Sequence, residues 1–323
     1  MWKEGTRTVF AASAVGPPFG PVERGKMRPI FENTVIHVDI SNACQYACAH
    51  CTRAVGHHRK PYFMELEMVR KAIASLQDFP GRIGIMGGEP CLHPKFGEIL
   101  AIVREMVPDR RRREFWTSGW KWEEYKDDIY ATFDKDRVTY NDHSQATGRH
   151  QPLMVAIDEM VDDPVLRKEL IDNCPFQARW SAAITPRGAF FCEIAASQDY
   201  LFDGPGGYPV EPGWWKKAQP EFQDQVDRYC GKCSGALPMP SYSDNQGGRH
   251  SPSIDIVSPG NMERLLKAGS IRAQKGNVIV RTEKFTKEEI EEYKKTWKPR
   301  QFRDFQAWNP EDVKKALENE KPT

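Results

Sequence analysis

The sequence predicts an α/β fold with a mainly parallel sheet, followed by a small cysteine-rich module and a helical tail. Over residues 34–141, short apolar runs of β type alternate with stretches in which apolar residues recur at helical spacing. Such alternation is typical of parallel strands joined by helical crossovers. A hairpin pattern between two cysteines comes next, and charged segments of helical type end the chain.

Four strands are predicted in the first part of the chain, at residues 34–39, 82–86, 114–117 and 137–141. Three helices are predicted between these strands. The first two have apolar residues at helical spacing, namely Leu66, Val69, Ile73 and Leu76, and then Phe96, Ile99, Leu100, Val103 and Val107. The third is predicted at residues 122–133. Residues 179–185 fit either a late strand of this sheet or the start of the next module. An irregular N-terminal extension is predicted at residues 1–33.

Three cysteines spaced C-x3-C-x2-C follow the first predicted strand: Cys44, Cys48 and Cys51. Thiolates are soft ligands that suit iron–sulfur clusters, copper(I) or zinc. At this spacing they can hold three corners of a cubane cluster and leave the fourth iron open for chemistry. Zinc is the alternative, with His57 or His58 as a further ligand, although no zinc-finger spacing is present. A disulfide framework is not expected in a chain of this length without a secretion signal.

The tetrapeptide Gly87-Gly88-Glu89-Pro90 follows the second predicted strand. Together with CQYACAHC after the first strand, it resembles the radical S-adenosylmethionine (SAM) superfamily. The resemblance implies a partial (β/α)6 barrel at residues 34–173, a [4Fe–4S] cluster on the three cysteines and SAM bound to its open iron. It also implies that the tetrapeptide lines the SAM site, where the glycines allow close approach and Glu89 accepts from the SAM ammonium group.

Polar residues after the third and fourth strands are further candidates, because the carboxyl ends of barrel strands face the active side. The resemblance implies that Ser118 belongs to a TNG-like segment, with Ser where the family often has Asn. It also implies that Asn141 and Asp142 contact SAM. His143 and His150 flank the loop at residues 144–149. The two histidines are expected either to face substrate or to cap the following helix.

Four further cysteines, Cys174, Cys192, Cys230 and Cys233, form a second set. A predicted hairpin lies between the first two, and the last two are a C-x2-C knuckle. This set resembles the twitch domain, a short form of the SPASM domain of radical SAM enzymes, at residues 174–240. The resemblance implies one auxiliary [4Fe–4S] cluster with four thiolates, although the hairpin ends Gly188-x3-Cys192, one residue short of the usual pattern. A structural zinc ion is the alternative.

Two other features have open interpretations. Cys91, directly after the tetrapeptide, is either a small buried residue or a thiol that donates hydrogen in catalysis. Trp214 and Trp215 lie in a predicted loop rich in Gly and Pro. The pair is interpreted either as a platform for a flat or sugar-like ligand, or as a cover that shields the second cysteine set from water. Glu193, directly after Cys192, is a candidate polar contact.

Residues 241–323 predict a polar linker and a helical tail without chemistry of its own. A strand is predicted at residues 277–281, a capping box at Thr286 and Glu289, and a helix start at Asn309 and Pro310.

Composition indicates a cytoplasmic enzyme. The formal net charge of +1 over 323 residues gives no electrostatic reason to expect nucleic acid or an anionic membrane as a partner. No apolar stretch approaches the ~20 residues of a spanning helix, and the start of the sequence lacks the apolar core of a signal peptide. The eight cysteines are therefore expected to bind metal.

The resemblance implies that SAM is cleaved reductively to a 5′-deoxyadenosyl radical, which abstracts hydrogen from a small substrate such as a sugar or cyclitol. An auxiliary cluster that accepts the remaining electron favours dehydrogenation, and twitch-bearing relatives include an aminocyclitol dehydrogenase. The alternatives are epimerisation, radical modification of a ribosomal peptide, methyl or adenosyl transfer, and a non-enzymatic iron–sulfur protein. A flavodoxin- or ferredoxin-like protein is the expected electron donor.

Overall fold

Parallel strands form the centre of the protein. The computed structural model describes residues 27–140, 149–179, 182–239, 242–243 and 254–297. The strands are β1 (Val35–Ser41), β2 (Arg82–Gly87), β3 (Arg113–Thr117), β4 (Val138–Tyr140), β5 (Arg149–His150), β6 (Ala182–Thr185), β7 (Gly188–Phe190), β8 (Tyr242–Ser243), β9 (Asp255–Val257) and β10 (Val278–Val280). The helices are α1 (Leu66–Ser75), α2 (Phe96–Met106), α3 (Trp122–Thr132), α4 (Ile157–Met160), α5 (Pro164–Asp172), α6 (Pro175–Arg179), α7 (Glu193–Leu201), α8 (Gln223–Tyr229), α9 (Pro259–Lys267), α10 (Ile271–Gln274) and α11 (Lys287–Thr296).

The main sheet has the strand order β4-β3-β2-β1-β6-β7. β1 pairs in parallel with β2 on one side and with β6 on the other, and only β7 runs antiparallel. All of β1 is buried, as expected for a central parallel strand covered on both faces. Because side chains alternate along a strand, Ile36 and Val38 enter the apolar core, while His37 and Asp39 face the opposite, polar side.

The helices between β1 and β4 cover the apolar face of the sheet. Phe96 at the start of α2 packs against Phe115 of β3, with ring centroids 5.7 Å apart, and Phe115 stacks on Phe133 at 5.1 Å. Val69 and Ile73 of α1 belong to the same buried cluster. The polar face is thereby left for the loops that follow the carboxyl ends of the strands.

The α/β prediction is confirmed, and β1 to β4 begin and end within two residues of the predicted strands. The mainly parallel sheet is consistent with the predicted partial barrel, and among the described strands the next to join it after β4 is β6, which lies beside β1. The physical reason is that β1 is buried and its second edge needs backbone partners, which the apolar strand β6 supplies. The hairpin predicted between the cysteines is confirmed as β6 and β7. The domain boundary at residue 174 stays a prediction.

The described part of the tail packs against the loop that follows β1. β9 and β10 pair in parallel, which confirms the strand predicted near residue 278. Val257 and Leu265 form a buried cluster with Ala54 of that loop and with Met154. The capping box of Thr286 and Glu289 at α11 is present as predicted.

Residues 1–26 of the predicted extension, most of the polar linker, and Asn309 with Pro310 lie outside the described residues. No helix among those described is long and apolar enough to cross a membrane.

Candidate functional site

The first cysteine set lies on the loop after β1, beside the glycine turn that follows β2. The backbone amide of Gly88 donates to the Ser41 carbonyl at 2.8 Å, and that of Glu89 donates to the Ala43 carbonyl at 2.7 Å. A Cβ on Gly88 would lie 2.3 Å from the Ala43 carbonyl oxygen, and Gly87 has a φ of 154°. Both positions therefore require glycine because the turn is pressed against the start of the cysteine loop.

The cysteines of this loop are free thiols in a dry environment. Cys48 is buried, whereas Cys44 and Cys51 are half-buried, and none of the eight cysteines of the chain is in a disulfide. Burial raises the pKa of Cys44 to about 12 and also raises the pKa of Cys51. Such thiols ionise when a metal cation lies beside them. Three soft donors on one loop fit an iron–sulfur cluster with one iron left open.

The two histidines proposed as further zinc ligands are engaged elsewhere. His57 Nδ1 lies 2.8 Å from Ser270 Oγ and its Nε2 lies 3.0 Å from Asp255 Oδ2, while His58 Nε2 lies 2.9 Å from the Arg53 carbonyl oxygen. Within the described ranges, no three His, Cys, Asp or Glu side chains converge closely enough to hold a single metal ion. These contacts leave His57 and His58 in structural roles, while zinc on the cysteines themselves stays an alternative.

Glu89 is fully buried and fastens the end of β3 to the glycine turn. Its Oε1 accepts from the Cys91 amide at 3.1 Å and from Thr117 Oγ1 at 2.8 Å. Its Oε2 accepts from the amide and the hydroxyl of Ser118, both at 2.6 Å. The carboxylate therefore already has four donors within the protein. Its predicted contact with the ammonium group of SAM stays a prediction, and an internal structural role is added to it.

Ser118 connects this turn to the cysteine loop, because Gln45 Nε2 donates to Ser118 Oγ at 2.8 Å. Pro90 opens the short helical turn Pro90–Leu92, which Glu89 caps. The predicted SAM contacts Asn141 and Asp142, together with His143, lie outside the described residues.

Two of the other predicted residues contact or adjoin this site. His150 Nδ1 lies 3.2 Å from the carbonyl oxygen of Ala49 in the cysteine loop.

Cys91 is 3% exposed and packs in the main core, with its Sγ 4.0 Å from Thr117 Oγ1. Burial and the nearby Glu89 carboxylate raise the pKa of Cys91 well above its ordinary value. These surroundings match the interpretation of Cys91 as a small buried residue, and its role as a hydrogen donor stays a prediction.

A buried ion-pair network joins the two cysteine loops. Arg53 follows Cys51 by two residues, and its Nη1 lies 2.9 Å from Oε1 of Glu193, the residue after Cys192. Arg53 Nη2 also donates to Asp39 Oδ1 at 3.2 Å. Burial opposes the charge of Arg53, but the Asp39 and Glu193 carboxylates raise its pKa above the ordinary value. The sequence indicated Glu193 as a candidate contact but not Arg53, because a lone Arg belongs to no motif.

The tail also contacts the cysteine loop, although the sequence indicated no chemistry there. Asp255 Oδ1 accepts from the amide of His50 at 2.5 Å across 205 residues of sequence. Arg272 is buried against Asp255 and donates to the Cys48 carbonyl at 3.3 Å. No local pattern could have revealed contacts of such sequence separation.

The second cysteine set lines one cavity. Cys174 precedes α6, Cys192 precedes α7, and Cys230 and Cys233 flank the turn after α8. All four line one mainly apolar space, whose other walls include Phe176, Phe191 and Tyr229. Burial, then the charge of Cys174, raises the pKa of Cys233 to about 12. Cys192 is buried and the other three thiols are half-buried. Four thiolates around one space are enough for one ligand on each iron of a [4Fe–4S] cluster, or for a structural zinc ion.

The tryptophan pair has neither of its predicted roles. Trp214 and Trp215 are 5% and 6% exposed and belong to the main core. Trp215 Nε1 donates to the Ser75 carbonyl at 3.1 Å, and its ring lies 5.5 Å from Phe79. α1 follows the cysteine loop and runs antiparallel to the strands, so Ser75 at its end lies near the amino ends of the strands. The tryptophan pair therefore lies towards the edge of the sheet opposite the cysteine loop. Neither tryptophan lines the cavity of the second cysteine set. The prediction was wrong because hydrophobic burial overrode the loop-like local sequence.

Comparison with known proteins gives a partial assignment. Residues 38–133, about a third of the chain, match the model of the Radical SAM superfamily. No curated protein matches the chain significantly. Among solved structures, that of BtrN in complex with AdoMet and 2-DOIA is 17% identical, with a TM-score of 0.39, and the match covers 62% of this chain and 88% of BtrN. Selenomethionine BtrN in an open conformation is likewise 17% identical, with coverages of 63% and 88% and a TM-score of 0.37.

Proposed function

We propose that this protein is a radical SAM oxidoreductase that dehydrogenates a small hydroxylated or amino-substituted molecule, such as a sugar or cyclitol. The observation that carries the proposal is the shared edge where the cysteine loop after β1 meets the glycine turn after β2, within the matched radical SAM segment. With its reduced cluster and SAM bound, such a site supplies a 5′-deoxyadenosyl radical that can abstract hydrogen from carbon.

In this proposal, Cys44, Cys48 and Cys51 hold a [4Fe–4S] cluster and leave one iron to SAM. The Gly87–Gly88 backbone brings the turn close to the loop, and Glu89 orders Ser118 at the end of β3. Ser118 in turn orients Gln45, whose neighbour Cys44 is a cluster ligand. The side chains after three neighbouring strands thus form one preorganised wall for a SAM molecule.

The second cysteine set supports a two-electron oxidation in this proposal. Cys174, Cys192, Cys230 and Cys233 offer four thiolates, so a [4Fe–4S] cluster bound there has no open iron for substrate. Such a cluster is suited to accept the electron that remains after the substrate loses a hydrogen atom and a proton. A cytoplasmic location and a flavodoxin- or ferredoxin-like electron donor complete the proposal.

Iron content tests the cofactor assignment. We expect about eight irons per chain after anaerobic reconstitution. Replacing Cys44, Cys48 and Cys51 together by Ala should leave about four irons and abolish SAM cleavage. Cys91→Ala is the matched control, because it removes a buried cysteine outside both sets and should leave the iron content unchanged. A wild-type protein with four irons and one zinc would refute the auxiliary cluster.

Isotope transfer tests the reaction. Deuterium from the oxidised carbon of the substrate should appear in 5′-deoxyadenosine, with one SAM consumed per turnover. An isomeric product that carries solvent deuterium on carbon, and that is lost in Cys91→Ala, would instead establish an epimerase with Cys91 as the hydrogen donor.

SAM affinity tests the role of Glu89. Glu89→Ala should weaken SAM binding while the iron content stays constant, because it removes the acceptor that orders Ser118 and leaves buried donors unpaired. Equal affinity in wild type and variant, measured by equilibrium binding to the reconstituted proteins, would remove Glu89 from the SAM site.

A further inference from the structure

The loop that carries the first cysteine set has a strained backbone. His50, between Cys48 and Cys51, has a φ of 57°, and Ala54, three residues after Cys51, has a φ of 50°. This left-handed region is unfavourable for residues other than glycine, since Cβ approaches the neighbouring carbonyl oxygen. Strained backbone of this kind persists only where the surrounding structure holds it, and it concentrates at functional sites.

The restraint on His50 comes from the tail of the chain. The amide of His50 donates to Asp255 Oδ1 at 2.5 Å, and His57 Nε2 lies 3.0 Å from Asp255 Oδ2. Asp255 is 3% exposed. One buried carboxylate therefore fixes two points of the loop, on both sides of Cys51.

Arg272 fixes the third point. Its guanidinium is 5% exposed and donates to the backbone carbonyls of Ala47 and Cys48 while it pairs with Asp255. A Cβ on Gly56 would lie 2.4 Å from Arg272 Nη2, so the loop closes around this side chain on the far side as well. A planar guanidinium with several fixed donors suits this task better than an ammonium group would.

We propose that Arg272 and Asp255 are positioning residues for the C-x3-C-x2-C loop, and that these two residues of the tail are therefore part of the first cluster site. The pair holds the peptide groups of Ala47, Cys48 and the strained His50 in a fixed orientation, and so restrains the backbone that carries the thiols. This inference rests on the proposed function, because it assumes that the loop binds a cluster. It goes beyond the matched radical SAM segment, which ends more than one hundred residues before Asp255.

Arg272→Met tests the proposal in the full-length reconstituted protein, since it keeps the length of the side chain and removes the charge and the donors. Arg272→Lys keeps the charge but not the fork of donors, and Asp255→Asn tests the other partner. Arg264→Met is the matched control, because Arg264 lies in the same segment and pairs with Glu159 at 3.3 Å on a more exposed surface.

Two readouts are expected to change together. Amide hydrogen exchange in residues 47–57 should become at least about tenfold faster in Arg272→Met and Asp255→Asn, while β1 to β3 stay protected. Iron content should fall towards about four per chain, with the second cysteine set still loaded. Arg272→Lys should lie between wild type and Arg272→Met, and Arg264→Met should match wild type.

Other results overturn the proposal. Full iron content with unchanged exchange in residues 47–57 would show that the pair does not position the loop. Loss of both clusters with faster exchange throughout the sheet would show a general structural role instead. If wild-type protein binds no cluster on the first set, the proposed function fails, and the exchange measurement still decides whether Arg272 and Asp255 hold the loop.

Discussion

Arg53→Met should strongly destabilise the fold, because Arg53 is the shared cation of a buried ion-pair network. The Arg53 guanidinium lies within 3.3 Å of both oxygens of Asp39 and 2.9 Å from Oε1 of Glu193. All three side chains are at most 5% exposed. Methionine fills a similar length of space, so the substitution removes mainly the charge and leaves two buried carboxylates without their shared cation.

The expected loss of unfolding free energy is about 3–5 kcal/mol, the usual cost of removing one partner from a buried ion pair. This loss is a large share of the total stability of about 5–15 kcal/mol that is typical of a folded protein. Arg53 is next but one to Cys51, and Glu193 adjoins Cys192. In the proposed two-cluster enzyme, the variant should therefore also bind less iron.

Urea denaturation followed by circular dichroism measures the change, as a lower midpoint with an unchanged slope. The control is Arg70→Met, which breaks a bidentate ion pair between Arg70 and Glu105. The two side chains are 46% and 62% exposed, so this variant should lose less than about 1 kcal/mol of unfolding free energy. A loss below about 1 kcal/mol in Arg53→Met would refute the reasoning that this network is a buried, mutually dependent unit.

Three smaller predictions follow from single contacts. Burial lowers the pKa of His58 from 6.5 to about 4, so the unfolded chain takes up a proton first as pH falls. The free energy of unfolding should therefore drop by about 3 kcal/mol between these two pH values. His58→Gln should flatten this part of the stability–pH curve, and an identical curve would contradict the assignment. Trp215→Phe should cost about 1 kcal/mol through the lost bond to Ser75, without changing KM for the substrate, whereas a raised KM would restore the platform interpretation. Thr286→Ala should lower stability by about 0.5–2 kcal/mol in thermal unfolding, because it removes the cap that pairs with Glu289, and a neutral result would mean that α11 frays independently of the core.

The fold of the first four strands was predictable because its signals are local. β1 to β4 are apolar runs of a few residues, and α1 and α2 carry stripes at helical spacing, so each element could be placed from its own sequence. The position of β6 beside β1 was not predictable, because pairing between residues about 145 apart leaves no local signal. The same limit explains the error at Trp214 and Trp215, where local glycines and prolines indicated an open loop.

The candidate site divides in the same way. The two cysteine sets and the glycine turn were predictable, because ligand spacing and the need for glycine are properties of short segments. The four internal donors to Glu89, the link that Arg53 makes between the two cysteine loops, and the contacts of Asp255 and Arg272 with the first loop emerged only from the folded structure. The physical reason is that burial turns ordinary charged side chains into strong, specific contacts, and burial depends on which distant segments the fold brings together.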